Sequence, residues 1–428
     1  MNADELLQSS VVELSRGIEL GELTSERLTS ACIERVRERE PEVQAWAYFD
    51  ADLALETARM LDRTPRIGPL HGIPVAIKDI MDTAQMPTAY GSPIYTGYCP
   101  KIDAAPVAAV RAAGGLIFGK AITAEFAHRL PGHTRNPLDL ERTPGGSSSG
   151  CVAAVADGMA PIALTTQTTA STIRPASFCG LVGYRPSFGI MGLMGVKQSA
   201  PAMDTVGIIA RTVGDCALMR DVLLEKPTRP PTVQTDAKLR IGFCRTPFWD
   251  KVEPEARALI EATVASFAAE GAEVRDLDTP DAFAELQACH RRITSYELVR
   301  SLTAERREHM ALLSPLLREG RMTDGMRVSF EDYIDAVEIL ERARAFAGEF
   351  FQPYDFVVCP ATSGIAPKGL SSTGLSEFCV LWTSLHVPAI TVPLSTRIDN
   401  MPLGIQLVGR RGHDMRLFDH ALWVESRV

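Results

Sequence analysis

Three segments of the chain concentrate side chains able to move protons or attack a carbonyl. The first ends in Lys78, directly after the apolar run Pro74-Val75-Ala76-Ile77. A short apolar run bounded by turn residues reads as a buried strand. A lysine at such a strand end loses hydration, its pKa falls, and the neutral amine can act as a general base. The same side chain could extend to the surface, or pair with Asp79 or Asp82, and the local sequence leaves these readings open. The second segment, Thr143-Pro144-Gly145-Gly146-Ser147-Ser148-Ser149-Gly150, has almost no side-chain bulk and precedes an Ala-rich helix predicted over 152–159. The third, Thr165–Ser171, carries five hydroxyls in seven positions.

Rival chemistries fit these segments less well. A Gly-rich loop before a helix can cradle phosphate, but Cys151 follows Gly150 where a P-loop needs lysine. Ser171 has no G-x-S-x-G elbow around it. None of the eight histidines falls into a defensible Ser-His-Asp order, so a lysine base is the better fit.

The elements that must position these groups are legible from periodicity. Leu6, Leu7, Val11, Leu14 and Ile18 recur at helical spacing, and a second helix is expected from Ser25 as N-cap. A helix is predicted over 107–113, ending at Gly114-Gly115, with a strand at 116–118. Residues 226–237 read as a linker. Beyond it come a strand at 239–243, helix over 255–270 and largely helical sequence over 282–350. Strands return at Phe356–Pro360 and Ala389–Pro393. The alternation implies an α/β fold, a sheet sandwiched between helices. No internal repeat or low-complexity tail is present.

Composition narrows the partners. Of 428 residues, 46% are apolar and 23% charged, which suits a large buried core. Net charge is −9, with 44 basic against 53 acidic residues and no basic helix face, so nucleic acid is not an expected partner. The polar, acidic opening MNADELLQSS reads as neither signal nor transit peptide, and no run of 18 apolar residues suggests a membrane span. Nine singly placed cysteines without C-x-x-C spacing point to buried thiols in a cytoplasmic setting. Cys151 and Cys179 read as small buried hydrophobes rather than nucleophiles.

Taken together, Gly145-Gly146-Ser147-Ser148-Ser149-Gly150, Thr166-Gln167-Thr168-Thr169-Ala170-Ser171 and Arg174-Pro175-Ala176-Ser177-Phe178-Cys179-Gly180 resemble the amidase signature family. His71 through Asp79 resembles its lysine strand, and Asp204-Thr205-Val206-Gly207 and Pro402 through Gly409 resemble its later blocks, so the likeness spans nearly the whole chain. It implies the amidase signature fold, a mixed twisted sheet between helices with a helical cap region in the second half. It also implies a single domain over 1–428: N-terminal helices (1–65), signature core (66–225), a strand plus helical subregion (238–352) and a return to the core sheet (353–428). The family's triad maps onto Ser171 as nucleophile, Ser147 as bridging serine after a cis Gly146–Ser147 peptide, and Lys78 as base. By the same resemblance Ser148 hydrogen-bonds the lysine, and the N–H groups of Thr168, Thr169, Ala170 and Ser171 form the oxyanion hole.

The implied activity is hydrolysis of a small amide, acid amide, aryl amide or carbamate through an acyl-enzyme, with no metal or organic cofactor. A homodimer is common in the family. The same triad serves glutamine-hydrolysing amidotransferase subunits, and a catalytically silent scaffold protein is the alternative from another class.

The turn departs from the family's usual Gly-Thr-Asp-x-Gly-Gly-Ser-Ile-Arg. Gln167 stands for the acid and Arg174 lies three residues after the serine, a variant that resembles the malonamidase-type branch. Thr169 and Ala170 replace a Gly pair, which serves an oxyanion hole only if both keep negative φ. Arg174 is a candidate for a substrate carboxylate or a tie within the turn, with Gln167 beside it as a further substrate candidate. Phe126 matches a segment that lines the family's acyl channel, and Trp382 and His386 fall where its last block nears the site; interior packing is the competing role for all three.

Overall fold

The computed structural model describes residues 2–233 and 238–428; positions 234–237 of the expected linker lie outside the described residues. The first apolar pattern forms two helices, Ala3–Gln8 and Val11–Glu19, rather than one. Ser10 divides them, its Oγ accepting from Glu13 N at 3.2 Å while Glu13 reaches back to Ser10 N. The next helix, Ser25–Val43, is capped by Thr24, whose Oγ1 accepts from Arg27 N at 3.1 Å. Ser25, the expected cap, is instead the first helical residue and donates to Gly72 O at 3.0 Å.

An α/β architecture is built on one 11-stranded sheet. In chain order the strands are β1 (Trp46–Phe49), β2 (Pro74–Lys78), β3 (Leu116–Ala121), β4 (Ile162–Gln167), β5 (Val182–Arg185) and β6 (Thr205–Ala210). They continue as β7 (Arg240–Phe243), β8 (Glu273–Asp276), β9 (Phe356–Pro360), β10 (Ala389–Pro393) and β11 (Gly404–Val408). Spatial order is β1-β3-β2-β4-β6-β5-β10-β11-β9-β7-β8. Parallel blocks, β3-β2-β4 and β9-β7-β8, flank an antiparallel centre. Helices cover both faces, so β2, β3, β4 and β6 are buried at every position. That coverage explains why the strands read as unbroken apolar runs instead of alternating.

The second half carries the helical region, with Leu286–Ser301, Thr303–Glu308, Thr323–Arg327 and Phe330–Phe351. The longest of these is capped by Ser329, whose Oγ accepts from Asp332 N at 3.0 Å.

The small-residue loop is small because backbone lies against it. Gly145 has φ +83°, and a Cβ there would sit 2.9 Å from Pro175 Cα. At Gly150 a Cβ would come within 2.2 Å of Ala45 O and 2.3 Å of Ile122 N, so the helix Ser149–Ala156 can start here only on glycine. The Gly146–Ser147 peptide is cis.

Candidate active site

Parallel pairing of β2 with β4 sets Ile77 opposite Leu164, which carries Lys78 to the level of Thr165 and Thr166 at the strands' carboxyl ends. Open α/β sheets place their sites at such ends. Lys78 is fully buried, with Nζ 2.8 Å from Ser147 Oγ and 2.8 Å from Thr166 Oγ1. Neither partner is charged. Burial therefore lowers the lysine pKa to about 7, against the weaker opposing pull of Cys151 and Asp204. Asp79, a sequence candidate for pairing with Lys78, lies instead 3.1 Å from Lys120, a second fully buried lysine.

The expectation that Ser148 bonds the lysine is corrected. Its buried Oγ has no hydrogen-bond partner among the described residues, and Thr166 takes that place. The reason is register: Thr166 sits on the strand directly beside Lys78, whereas Ser148 has already turned into the start of a helix.

Residues 167–172 are fixed from several elements at once. Gln167 Oε1 accepts from Thr172 N at 2.9 Å and Ile173 N at 3.0 Å, holding the start of the helix Ile173–Cys179. Thr168 Oγ1 donates to the buried Asp204, which also accepts from Ser199 N at 2.7 Å and Ala200 N at 3.0 Å. The carbonyls of Thr168, Thr169 and Ala170 are each engaged by a fixed donor. Thr168 O receives His290 Nε2 at 3.1 Å, Thr169 O receives Thr383 Oγ1 at 2.9 Å, and Ala170 O receives Arg174 N at 3.1 Å. The N–H groups of Thr168, Thr169, Ala170 and Ser171 donate to no acceptor among the described residues. Neither Thr169 nor Ala170 has positive φ, so the replacement of a Gly pair leaves this row of donors without left-handed backbone.

Thr168 through Ser171 face a cavity of about 510 Å³. Ser171 is 9% exposed, and no hydrogen bond joins its hydroxyl to Ser147 in this structure. The far walls come from His290 and Thr294 on the helix Leu286–Ser301, from Leu316 and Arg321, and from residues 371–377.

The remaining candidates separate clearly. Arg174 borders the cavity, yet its guanidinium donates to Gly374 O at 2.9 Å, Leu375 O at 3.2 Å, Thr373 Oγ1 at 3.0 Å and Gly146 O. It ties the small-residue loop to the segment 373–375. Gln167 spends its carbonyl on backbone. Phe126 is buried in the main core with its ring 6.3 Å from Tyr95, and its neighbours Ala127, His128 and Arg129 line the cavity instead. Trp382 is in the core, and His386 stacks on Phe188 at 3.9 Å with Nε2 2.8 Å from Ala202 O. Burial pushes the Cys151 thiol up to about 12, and Cys179 is raised for the same reason. Among the described residues no group of three or more His, Cys, Asp or Glu side chains could hold a metal, and no helix is long and apolar enough to cross a membrane.

Sequence reasoning missed Thr166 as the lysine's second partner, Asp204 and Thr383 as anchors of the turn, and His290. Burial lowers the His290 pKa to about 4, so the ring is neutral and its Nε2–H is available to Thr168 O. Asp204 stood in a quoted motif, but nothing local revealed its partner; His290 lies more than a hundred residues from the turn it supports.

A mixed sheet between helices, with a buried lysine and a serine-bearing turn at its strand ends, is the arrangement expected of the amidase signature fold. The chain belongs to the amidase family, known for the amidase signature, whose model matches residues 27–418. It is similar to the glutamyl-tRNA(Gln) amidotransferase A subunit of Symbiobacterium thermophilum, 30% identical over 98% of this chain and 96% of that one. Among solved structures it resembles an amidase at TM-score 0.89 and 28% identity, covering 98% of this chain and 100% of that one. It also resembles the peptide amidase of Stenotrophomonas maltophilia at TM-score 0.84 and 27% identity, covering 98% and 97%.

Proposed function

We propose that the chain is a Ser–Ser–Lys amidohydrolase that cleaves a small amide, acid amide, aryl amide or carbamate through an acyl-enzyme. The observation that carries this reading is the 2.8 Å contact between Ser147 Oγ and a fully buried lysine whose only other side-chain partner among the described residues is a hydroxyl. At neutral pH such an amine has a lone pair to offer, and Ser147 O–H donates to it. Ser171 gives its proton to Ser147 as its Oγ attacks the substrate carbonyl. The step requires the Ser171 hydroxyl to come within hydrogen-bond reach of Ser147 Oγ. The free N–H groups at Thr168 through Ser171 support a role as oxyanion hole, where one donor contributes about 10²–10³ in rate. The proton then returns through Ser147 to the leaving amine, and water, activated by the same relay, releases the acid. Gly146, Thr166 and Arg174 support the relay by position alone. A cavity of about 510 Å³ suits a small molecule. One domain spans the chain in this reading, acting without metal or cofactor.

Covalent labelling of Ser171 by a fluorophosphonate, with a panel of amides, esters and carbamates assayed on wild type and Ser171→Ala, tests the reading. Labelling and turnover that both vanish in the variant are expected. A folded wild type that neither labels nor turns over any of the panel overturns it in favour of a scaffold role.

A second reading rests on the curated relatives, which include amidotransferase A subunits aligned over nearly their whole length. On it the chain would release ammonia from glutamine for a partner protein. Gln167 in place of the usual acid, a variant that resembles the malonamidase-type branch, favours the independent hydrolase. Ammonia release from simple amides by the isolated chain, faster than from glutamine, is the expected result.

A further inference from the structure

The N–H groups of Thr168, Thr169, Ala170 and Ser171 are one half of four consecutive peptide units; the other half of each is the carbonyl of the preceding residue. Every one of those carbonyls is engaged. Gln167 O accepts from Thr205 Oγ1 at 3.4 Å, Thr168 O from His290 Nε2 at 3.1 Å, Thr169 O from Thr383 Oγ1 at 2.9 Å and Ala170 O from Arg174 N at 3.1 Å. The donors come from β6 and from the helices Leu286–Ser301, Glu377–Ser384 and Ile173–Cys179. Two of them, His290 and Thr383, are buried side chains brought to the turn from 122 and 214 positions away, and the proton relay uses neither. A carbonyl only accepts, so the His290 ring that serves Thr168 O carries its proton on Nε2. Burial lowers that ring to about 4, which keeps it a neutral donor at pH 7. Thr169 Oγ1, at 3.5 Å from the same nitrogen, is too distant to compete.

We infer that His290 and Thr383 are positioning residues for the reaction, each donating to the carbonyl side of a peptide unit whose N–H meets the developing oxyanion. The inference rests on the amidohydrolase reading and adds to it two residues outside the triad. A hydrogen bond at the carbonyl draws electron density along the amide toward oxygen, so the N–H of the same unit becomes a stronger donor; chains of this kind strengthen by about 10–30% per bond. The same bond stops the peptide plane from turning its N–H away, so the donor needs no reorganisation as charge builds on the substrate oxygen. His290 acts in this way on the N–H of Thr169, and Thr383 on the N–H of Ala170. The effect grows with the charge on that oxygen, so it is felt in the transition state more than in the bound amide. It therefore belongs in kcat rather than in KM.

Steady-state kinetics on the full chain, paired with the affinity of 1,1,1-trifluoroacetophenone, test the assignment, because that ketone forms a tetrahedral oxyanion on a serine nucleophile. His290→Leu and the nearly isosteric Thr383→Val each remove a donor, whereas His290→Gln and Thr383→Ser retain one. Each removal is expected to lower kcat about fivefold with KM within about twofold of wild type, and to weaken the ketone by the same factor as kcat. The donor-retaining variants are expected to recover most of both. A readout independent of turnover is the amide 15N resonance of Thr169 and of Ala170, identified as the signals lost in Thr169→Ser and Ala170→Gly. The first is expected to move upfield in His290→Leu and the second in Thr383→Val. Folded variants whose kcat and ketone affinity match wild type overturn the inference even if amides are hydrolysed, and so does a rise in KM alone, which marks a contact to substrate. Thr383→Val keeps the test decisive should His290→Leu misfold. The expected nitrogen shifts, in a chain whose wild type neither binds the ketone nor turns over any amide, retain the polarised peptides and remove the hydrolase reading.

Discussion

Thr166 Oγ1 and Ser147 Oγ each lie 2.8 Å from Lys78 Nζ, so the amine is held between two hydroxyls from different segments. One hydroxyl is placed to exchange a proton; the other can only orient the nitrogen. Replacing Thr166 by valine keeps shape and removes the orienting bond. A hydrogen bond of this kind contributes about 1 kcal/mol, so kcat/KM is expected to fall about fivefold. Ser148→Ala, at the position the sequence favoured, is expected to change it less than twofold. Steady-state kinetics on both variants decide between the two hydroxyls.

The acid limb of the pH profile should report Lys78. Its pKa is lowered to about 7, and the base works only when neutral, so kcat/KM should rise with pH through about 7. Lys78→Ala should remove the limb and lower the rate by about 10²–10⁴, the usual reach of general base catalysis. Asp204, raised to about 6 by burial, is the competing origin of such a limb because it holds Thr168. A limb that persists in Asp204→Asn belongs to the lysine.

Gln167 acts on stability through two backbone donors. Gln167→Ala would leave Thr172 N and Ile173 N without an acceptor in a buried setting, at about 1–3 kcal/mol for each unsatisfied group. Thermal melts should show a clear drop in Tm, and kcat should fall with it because Ser171 sits on the same turn. Gln167→Glu keeps an acceptor at a helix start and is expected to retain most of the stability.

Arg174 should behave as a tie rather than a substrate anchor. Arg174→Lys loses a planar fork that reaches three carbonyls and a hydroxyl, and is expected to destabilise the fold by about 2 kcal/mol or more. Its preference for an acid-bearing amide over the methyl ester should stay within twofold of wild type. A collapse of that preference would make Arg174 a substrate anchor instead.

These residues also show what a sequence can and cannot convey. The alternation of helix and strand, and the stretch of glycines and serines from 145 to 150, are legible because backbone contacts leave room for nothing larger. The buried strand ending in Lys78 is legible from its apolar run. Thr166 was hidden because only the β2–β4 register shows which hydroxyl faces the lysine. Arg174 was ambiguous because its direction depends on residues 373–375, some two hundred positions away. Phe126 fell one residue short of the cavity wall, a distinction set by the positive φ of Phe126 and Ala127.

The separation of the sheet into two parallel blocks around an antiparallel centre has a further consequence. Lys78 and the serine-bearing turn hang from β2 and β4, while Thr294, Arg321 and residues 371–377 belong to the stretches before and after β9. On the proposed reading, the groups that break the bond and the surface that selects what is broken thus come from separate stretches of the chain, meeting across one cavity. The two are joined at two ties, His290 to Thr168 O and residues 373–375 through Arg174 to Gly146 O, so a redrawn wall must keep both to leave the proposed relay in place.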